Sequence, residues 1–264
     1  MRNILHLYGP YCCLVLAGCA HHSPFASRTF VDLTHAFDAE TIYWPTAEGF
    51  ELEVESNEFT EKGYFYKAGS FRAAEHGGTH IDAPIHFYEG RHTLDAIPIE
   101  QLIGPGVVVD VSKQCAAERD YRVTVDDFVA WEKQHGLLLN DVIVLLRTGF
   151  GKHWPDRVKY LGTAERGPEA VPKLHFPGLH PDAAAWLVTR RRIKAIGLDT
   201  ASIDYGQSTL FQSHVNLFEQ NVPAFENLAN LDKLPATGFT VIALPMKIKG
   251  GSGGPLRIIA VLDP

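Results

Sequence analysis

Five short apolar runs recur along the chain: residues 107–111 (VVVDV), 142–146 (VIVLL), 193–198 (IKAIGL), 239–244 (FTVIAL) and 256–262 (LRIIAVL). Each is rich in β-branched residues and bounded by turn residues, the pattern of strands buried on both faces. Residues 50–55 (FELEVE) differ, because apolar and acidic positions alternate one by one. That period predicts a strand with one face in water. Helical patterns intervene. Thr124 caps a predicted helix through Phe128, Val129 and Trp131 that ends at Gly136, and Pro181 opens another through Ala185, Trp186 and Leu187. Strands and helices alternate in the second half, so the fold class is α/β. Residues 250–255 (GGSGGP) resemble a linker by composition, but apolar runs flank them. They read as a loop whose backbone needs angles that glycine alone adopts freely.

The first 19 residues, MRNILHLYGPYCCLVLAGC, have a single Arg2 followed by a mostly apolar stretch broken at Gly9-Pro10. The stretch is shorter than the ~20 residues a membrane-spanning helix takes, and reads as a secretory signal. Its end, Leu16-Ala17-Gly18-Cys19, resembles the lipobox of bacterial lipoproteins. The resemblance implies cleavage before Cys19, lipidation of Cys19, and an exported protein anchored at a membrane, facing the periplasm or cell exterior. Residues 20–29 (AHHSPFASRT) read as a tether, and residues 30–264 as one domain. Cys12 and Cys13 would leave with the signal and Cys19 would carry lipid. Cys115 alone would remain, so no internal disulfide is expected.

The 264 residues are ample for a sizeable core. A net charge of −7 without a long basic run argues against a nucleic-acid partner. Thirteen histidines are the first hint of metal chemistry.

The richest stretch is residues 75–87, EHGGTHIDAPIHF. His76, His80, Asp82 and His86 are all even-numbered and share a face in an extended chain. Gly77, Gly78 and Pro84 oppose a helix. A straight strand would hold His76 and His86 roughly 33 Å apart, so the chain must bend, most naturally at Gly77-Gly78. Two His and one carboxylate suit Zn²⁺ or Mn²⁺, and the lack of thiolates points to a catalytic rather than a structural site. A polar turn of individually satisfied histidines is the plain alternative.

His76-x-Gly78-Thr79-His80-x-Asp82-x-Pro84-x-His86 matches the HxGTHxDxPxH signature, and on it the chain resembles the cyclase family, which includes bacterial kynurenine formamidases and isatin hydrolases. The resemblance extends through residues 32–35 (DLTH), 43–45 (YWP), 199–204 (DTASID), 226–231 (ENLANL) and 244–247 (LPMK). It implies a three-layer β/β/α domain of the swivelling type with mixed sheets, commonly a dimer or tetramer. It implies metal ligation by His76, His80 and Asp82, and a general acid/base role for His86. His214 and Glu226, twelve residues apart, match a second metal position, with Asp82 bridging; one or two ions are therefore expected. Trp44 matches a substrate-pocket aromatic, although Thr46-Ala47 stands where the formamidases commonly have Gly-Asp.

These residues imply a metal-dependent hydrolase acting on an amide bond of a small aromatic substrate. The leading expectation is an aryl formamide such as N-formylkynurenine, cleaved to kynurenine in tryptophan catabolism. A cyclic aryl amide such as isatin is the alternative within the same chemistry, and the export signal adds weight to a substrate outside the cytoplasm. A non-catalytic lipoprotein that binds metal or a metabolite is the alternative of a different class. A His of ordinary pKa, ~6.5, suits the proton transfer asked of His86. Ser252 fits Gly-x-Ser-x-Gly by letter, but an apolar run rather than a helix follows it, and no His lies beyond it.

Overall fold

The computed structural model describes residues 27–264. The signal, the lipobox at Cys19 and most of the tether lie outside the described residues. The last tether position, Thr29, already opens the first strand.

Twelve strands follow in chain order: β1 (Thr29–Asp32), β2 (Glu51–Phe59), β3 (Phe65–Arg72), β4 (His80–Asp82), β5 (Ile103–Asp110), β6 (Arg122–Val123), β7 (Ile143–Arg147), β8 (Gly178–Leu179), β9 (Ala195–Leu198), β10 (Ala224–Glu226), β11 (Phe239–Pro245) and β12 (Gly253–Leu262). Six short helices intervene: α1 (Ile99–Leu102), α2 (Ser112–Ala117), α3 (Val125–His135), α4 (Arg157–Leu161), α5 (Pro181–Trp186) and α6 (Gln212–Phe218). Eight strands form one mixed sheet in the order β1-β12-β11-β5-β7-β9-β10-β4. The pairs β5–β7, β7–β9 and β9–β10 are parallel and the others antiparallel. The start of β12 also pairs with β4, which closes the sheet on itself.

Closure explains the continuous apolar runs. Along β5 and β7, Val108, Ile143 and Leu145 face the interior of the closed sheet, with Phe225, Val241 and Ile258. Their neighbours Val107, Val109, Val144 and Leu146 face a second core with Phe128, Trp131, Leu187 and Phe218 from the helical layer. The central strands are thus buried on both faces and need no polar side. Two β layers and a helical layer result, as the resemblance implied.

Local signals place the helices. Asp127 accepts from the Thr124 backbone N–H at 2.8 Å and from its hydroxyl at 3.0 Å, and Gly136 ends α3 at φ 64°. Pro181 stands in the first turn of α5. The free Cys115 is buried in the helical-side core, and burial pushes its thiol up to about 12.

The expectation for residues 50–55 needs correcting. β2 pairs with β3 alone, as a ribbon standing off the main sheet, and Leu52 and Val54 are 63% and 53% exposed. The one-by-one alternation arises from the ribbon's two faces, and nothing among the described residues covers the apolar one. Register Leu52↔Phe71, Val54↔Gly69 and Phe59↔Phe65 puts five large apolar side chains on that face.

Candidate functional site

The bend in the histidine-rich segment falls at Gly77-Gly78. Gly78 has φ 58°, and an added Cβ there would lie 2.5 Å from the Phe37 ring. A Cβ on Gly77 would enter the Tyr43 ring at 2.0 Å. The bend turns the chain so that the rings of His76 and His86 stack, with centroids 3.7 Å apart and planes at 16°.

β4 then carries His80 and Asp82 into the closure of the sheet. It lies between β10 and β12, with His80 opposite Glu226 and Asp82 opposite Gly253. His76 Nδ1 lies 2.6 Å from Asp82 Oδ1, and His80 Nε2 lies 3.2 Å from the same oxygen. His80 Nδ1 donates to the Gly78 carbonyl at 3.0 Å, leaving Nε2 aimed at the carboxylates. That Nε2 is buried without a hydrogen-bond partner. On the other side of Asp82, α6 buries His214. Its Nε2 lies 3.2 Å from Asp82 Oδ2 and 3.1 Å from Glu226 Oε1, and its Nδ1 lies 2.7 Å from Asp204 Oδ2.

Two donor groups result, His76/His80/Asp82 and Asp82/His214/Glu226. In each, the ligand atoms lie within 4.8 Å of one another, and Asp82 belongs to both. Burial pushes the Asp82 carboxyl up, but the charge of His76, hydrogen bonds from His214 and His76, and the nearby His80 outweigh it and hold it well below the usual range. Burial first, then the charge of Asp82, raises Glu226. Burial disfavours a charged His214, yet its bonds to Asp204, Asp82 and Glu226 hold its proton well above the ordinary value. Burial likewise opposes a charge on His80, and Asp82 and Glu226 overcome it to give about 8. Two buried carboxylates thus need positive charge where three imidazoles converge. A divalent cation can replace those protons, and the unpartnered His80 Nε2 offers it a ready ligand. The nitrogen and oxygen donor set fits such an ion.

His86 belongs to neither group. It sits on the single turn Pro84–His86 after β4. Burial pushes it down to about 4; Asp82 opposes the shift, and the charges of His76, His214 and His80 add to it. This corrects the expectation of an ordinary pKa: the ring rests neutral near pH 7.

Trp44, His76, His80, Asp82, His86, His214 and Glu226 all line one cavity of about 300 Å³. The Trp44 ring meets Phe211 at 6.3 Å and Phe176 at 6.5 Å, both edge-on, and Phe87 lies 5.0 Å from Phe211. The cavity therefore has a polar floor and an aromatic wall.

The family model described as "Putative cyclase" matches residues 31–205, which contain β4, His76 and His86. The chain belongs to the cyclase family. An isatin hydrolase of Roseibium aggregatum is 35% identical over 214 residues, covering 78% of this chain and 79% of that protein. A kynurenine formamidase of Salinibacter ruber is 27% identical over 229 residues, covering 87% and 95%. A solved structure, isatin hydrolase A from Labrenzia aggregata bound to benzyl benzoate, superposes with a TM-score of 0.81 at 34% identity, covering 90% of this chain and 95% of that one.

Sequence reasoning missed several residues of the site. Asp204 closes the DTASID segment, but nothing in its spacing shows that it receives His214. Phe87 follows the signature directly, and only the fold shows its ring against His214 at 4.6 Å. Phe211 adopts φ 47°, a left-handed conformation rare for an aromatic residue, which pattern alone does not reveal. Glu75 and Ser252 lie 177 positions apart, and their carboxylate and hydroxyl meet at 2.6 Å beside His76.

Proposed function

We propose that this cyclase-family protein is a metal-dependent hydrolase that opens an amide bond of a small aromatic substrate. The observation that carries the reading is the pair of donor groups sharing Asp82 on the floor of an aromatic-walled cavity, with His86 beside them but outside both. His76, His80 and Asp82 would hold one divalent ion, Mn²⁺ or Zn²⁺, and His214 and Glu226 with Asp82 a second. Such an ion, when bound, supplies Lewis acidity for the carbonyl and lowers the pKa of water. Neutral His86 takes a proton from the attacking water and returns it to the leaving nitrogen. Asp204 holds His214 Nδ1 and so directs Nε2 at the carboxylates. Trp44, Phe87 and Phe211 take the substrate ring, since aromatic pairs prefer offset and edge-on packing.

The 35% identity and the TM-score of 0.81 to isatin hydrolases support a cyclic aryl amide of the isatin type. An open aryl formamide such as N-formylkynurenine is the second reading, favoured by the resemblance of His214 and Glu226 to the second metal position of the formamidases. Purified protein loaded with Mn²⁺ or Zn²⁺ is assayed by absorbance on isatin and on N-formylkynurenine, with and without chelator. Chelator-sensitive loss of isatin supports the first reading, and turnover of N-formylkynurenine alone moves the assignment to the second. Stoichiometric metal binding without turnover of either overturns both substrate readings and assigns the pocket beside Trp44 to another substrate.

Two further proposals concern setting. Lipidation at Cys19 would hold the domain outside the cytoplasm, and Cys19→Ala should release it from the membrane fraction. Among the described residues, no helix is long and apolar enough to cross a membrane. A second copy of the chain would cover the apolar face of the β2–β3 ribbon. Leu52, Val54, Phe59, Phe65 and Phe71 are each 53–74% exposed there. At roughly 100 Å² each they supply ~500 Å², over half of the ~800 Å² that each partner gives a stable interface. Light scattering should find a dimer or larger, and Leu52→Glu with Phe65→Glu a monomer. A monomeric parent chain refutes the interface.

A further inference from the structure

The glycine-rich loop carries chemistry that neither donor group uses. It runs from the end of β11 into the start of β12, and of its glycines only Gly250 needs a positive φ, at 75°. Space requires Gly253 and leaves little room at Gly251. A Cβ on Gly253 would lie 2.4 Å from His76 Cε1 and 2.7 Å from the Ile81 carbonyl, and one on Gly251 would lie 2.9 Å from Glu75 Oε1. The backbone is therefore wrapped onto the His76 imidazole and the Glu75 carboxylate. It is fixed there by Ala83 N–H donating to the Ser252 carbonyl at 2.8 Å and Leu94 N–H donating to the Gly251 carbonyl at 2.9 Å.

At the centre of the wrap stands Ser252. Its hydroxyl donates to Glu75 Oε2 at 2.6 Å, and its backbone N–H reaches the same oxygen at 3.2 Å. His76 Nε2 lies 2.9 Å from Ser252 Oγ. A hydroxyl has one proton, and Glu75 takes it, so Ser252 Oγ is left to accept. Nε2 must then carry a proton, and the proton between Nδ1 and Asp82 Oδ1 is the one that a metal ion would displace. Nδ1, 2.6 Å from Asp82 Oδ1, faces the donor atoms of His80 and Asp82.

We infer that Glu75 and Ser252 form a clamp that fixes the tautomer and orientation of His76, making Nδ1 its metal-facing nitrogen. They are positioning residues, acting through His76, and the glycines serve to bring the clamp close enough. The inference rests on the proposed ligand role of His76. Outer partners of ligating histidines typically change metal affinity by about 10–100-fold when removed.

The test uses the full chain. Mn²⁺ affinity is measured from the free-ion resonance for the parent, Ser252→Ala and His76→Ala, with the Tm of each metal-free protein. Histidine-selective ¹⁵N NMR of the Zn²⁺-loaded parent, assigned through His76→Ala, reports which nitrogen carries the proton. The expected result is an Nε2–H on His76, a 10–100-fold weaker affinity in Ser252→Ala, and an unchanged metal-free Tm. Parent-like affinity in Ser252→Ala while His76→Ala loses it overturns the clamp alone. Parent-like affinity in His76→Ala overturns the ligand role and the clamp with it. Should Ser252→Ala lower the metal-free Tm, the parent's NMR decides: a proton on Nδ1, or a metal on Nε2, overturns the inference.

Discussion

Replacing His86 by alanine separates hydrolysis from metal binding. The ring belongs to neither donor group, so the ligand atoms around Asp82 stay in place when it is removed. Burial pushes His86 down to about 4, so its ring is neutral at pH 7, the state a proton acceptor needs. Positioned proton transfer contributes about 10²–10⁴-fold to rate, or about 3–5 kcal/mol of barrier at 1.36 kcal/mol per tenfold. His86→Ala should lower kcat and kcat/KM together by that factor, because the loss falls on the transition state rather than on substrate binding. The truncation also removes the stack on His76 and the edge contact with Phe87, whose centroid is 4.4 Å away. For this half-buried side chain that costs about 1–2 kcal/mol of stability, which thermal unfolding will read separately. The assay combines steady-state kinetics with metal content by mass spectrometry. A variant with full metal content and kcat within about fivefold of the parent refutes the role of His86. Loss of the metal itself would show that the ring is needed to hold the donor set.

Metal removal should lower Tm. An ion at a hundred times its Kd contributes about 2.7 kcal/mol, or roughly 5–10 °C for a domain of this size; scanning fluorimetry with Mn²⁺ titrated against chelator reads it, and no shift refutes a native metal site. Trp44→Ala should raise KM for an aromatic substrate about 2- to 13-fold and change kcat little, since it removes ring packing worth about 0.5–1.5 kcal/mol and no reacting group; an unchanged KM places the substrate elsewhere. His35 stacks on Trp154 at 4.3 Å, and burial, partly opposed by Asp32, pushes it down to about 4. The unfolded chain therefore takes up this proton first, at about 6.5, and stability falls as pH drops from there through 4, by up to about 3 kcal/mol. His35→Phe should flatten that part of the stability curve in urea titrations at several pH values, and an unchanged acid slope would assign the loss to other groups.

The sequence alone determined what depends on neighbours along the chain. Apolar runs marked five of the eight strands of the main sheet, β5, β7, β9, β11 and β12, because a strand buried largely on both faces needs little polar side. Thr124 and Gly136 marked the ends of α3 because capping is settled within a turn. The HxGTHxDxPxH segment placed His76, His80, Asp82 and His86 together because two glycines and a proline force its path. What joins distant segments had no such signal. Residues 50–55 alternate as a half-buried strand would, yet whether a layer lies beneath them is decided by packing, and the chain leaves that face bare. The pKa of His86 follows from burial among three other imidazoles, which its sequence position does not show. His214 and Glu226 were suggested by resemblance and spacing, but only the closure of the sheet at β4 and the burial of α6 set both against Asp82. Glu75 and Ser252, 177 residues apart, meet because β12 pairs with β4 and lays the glycine loop over His76. Tertiary structure decided these contacts because sheet closure couples residues that no local period or cap relates.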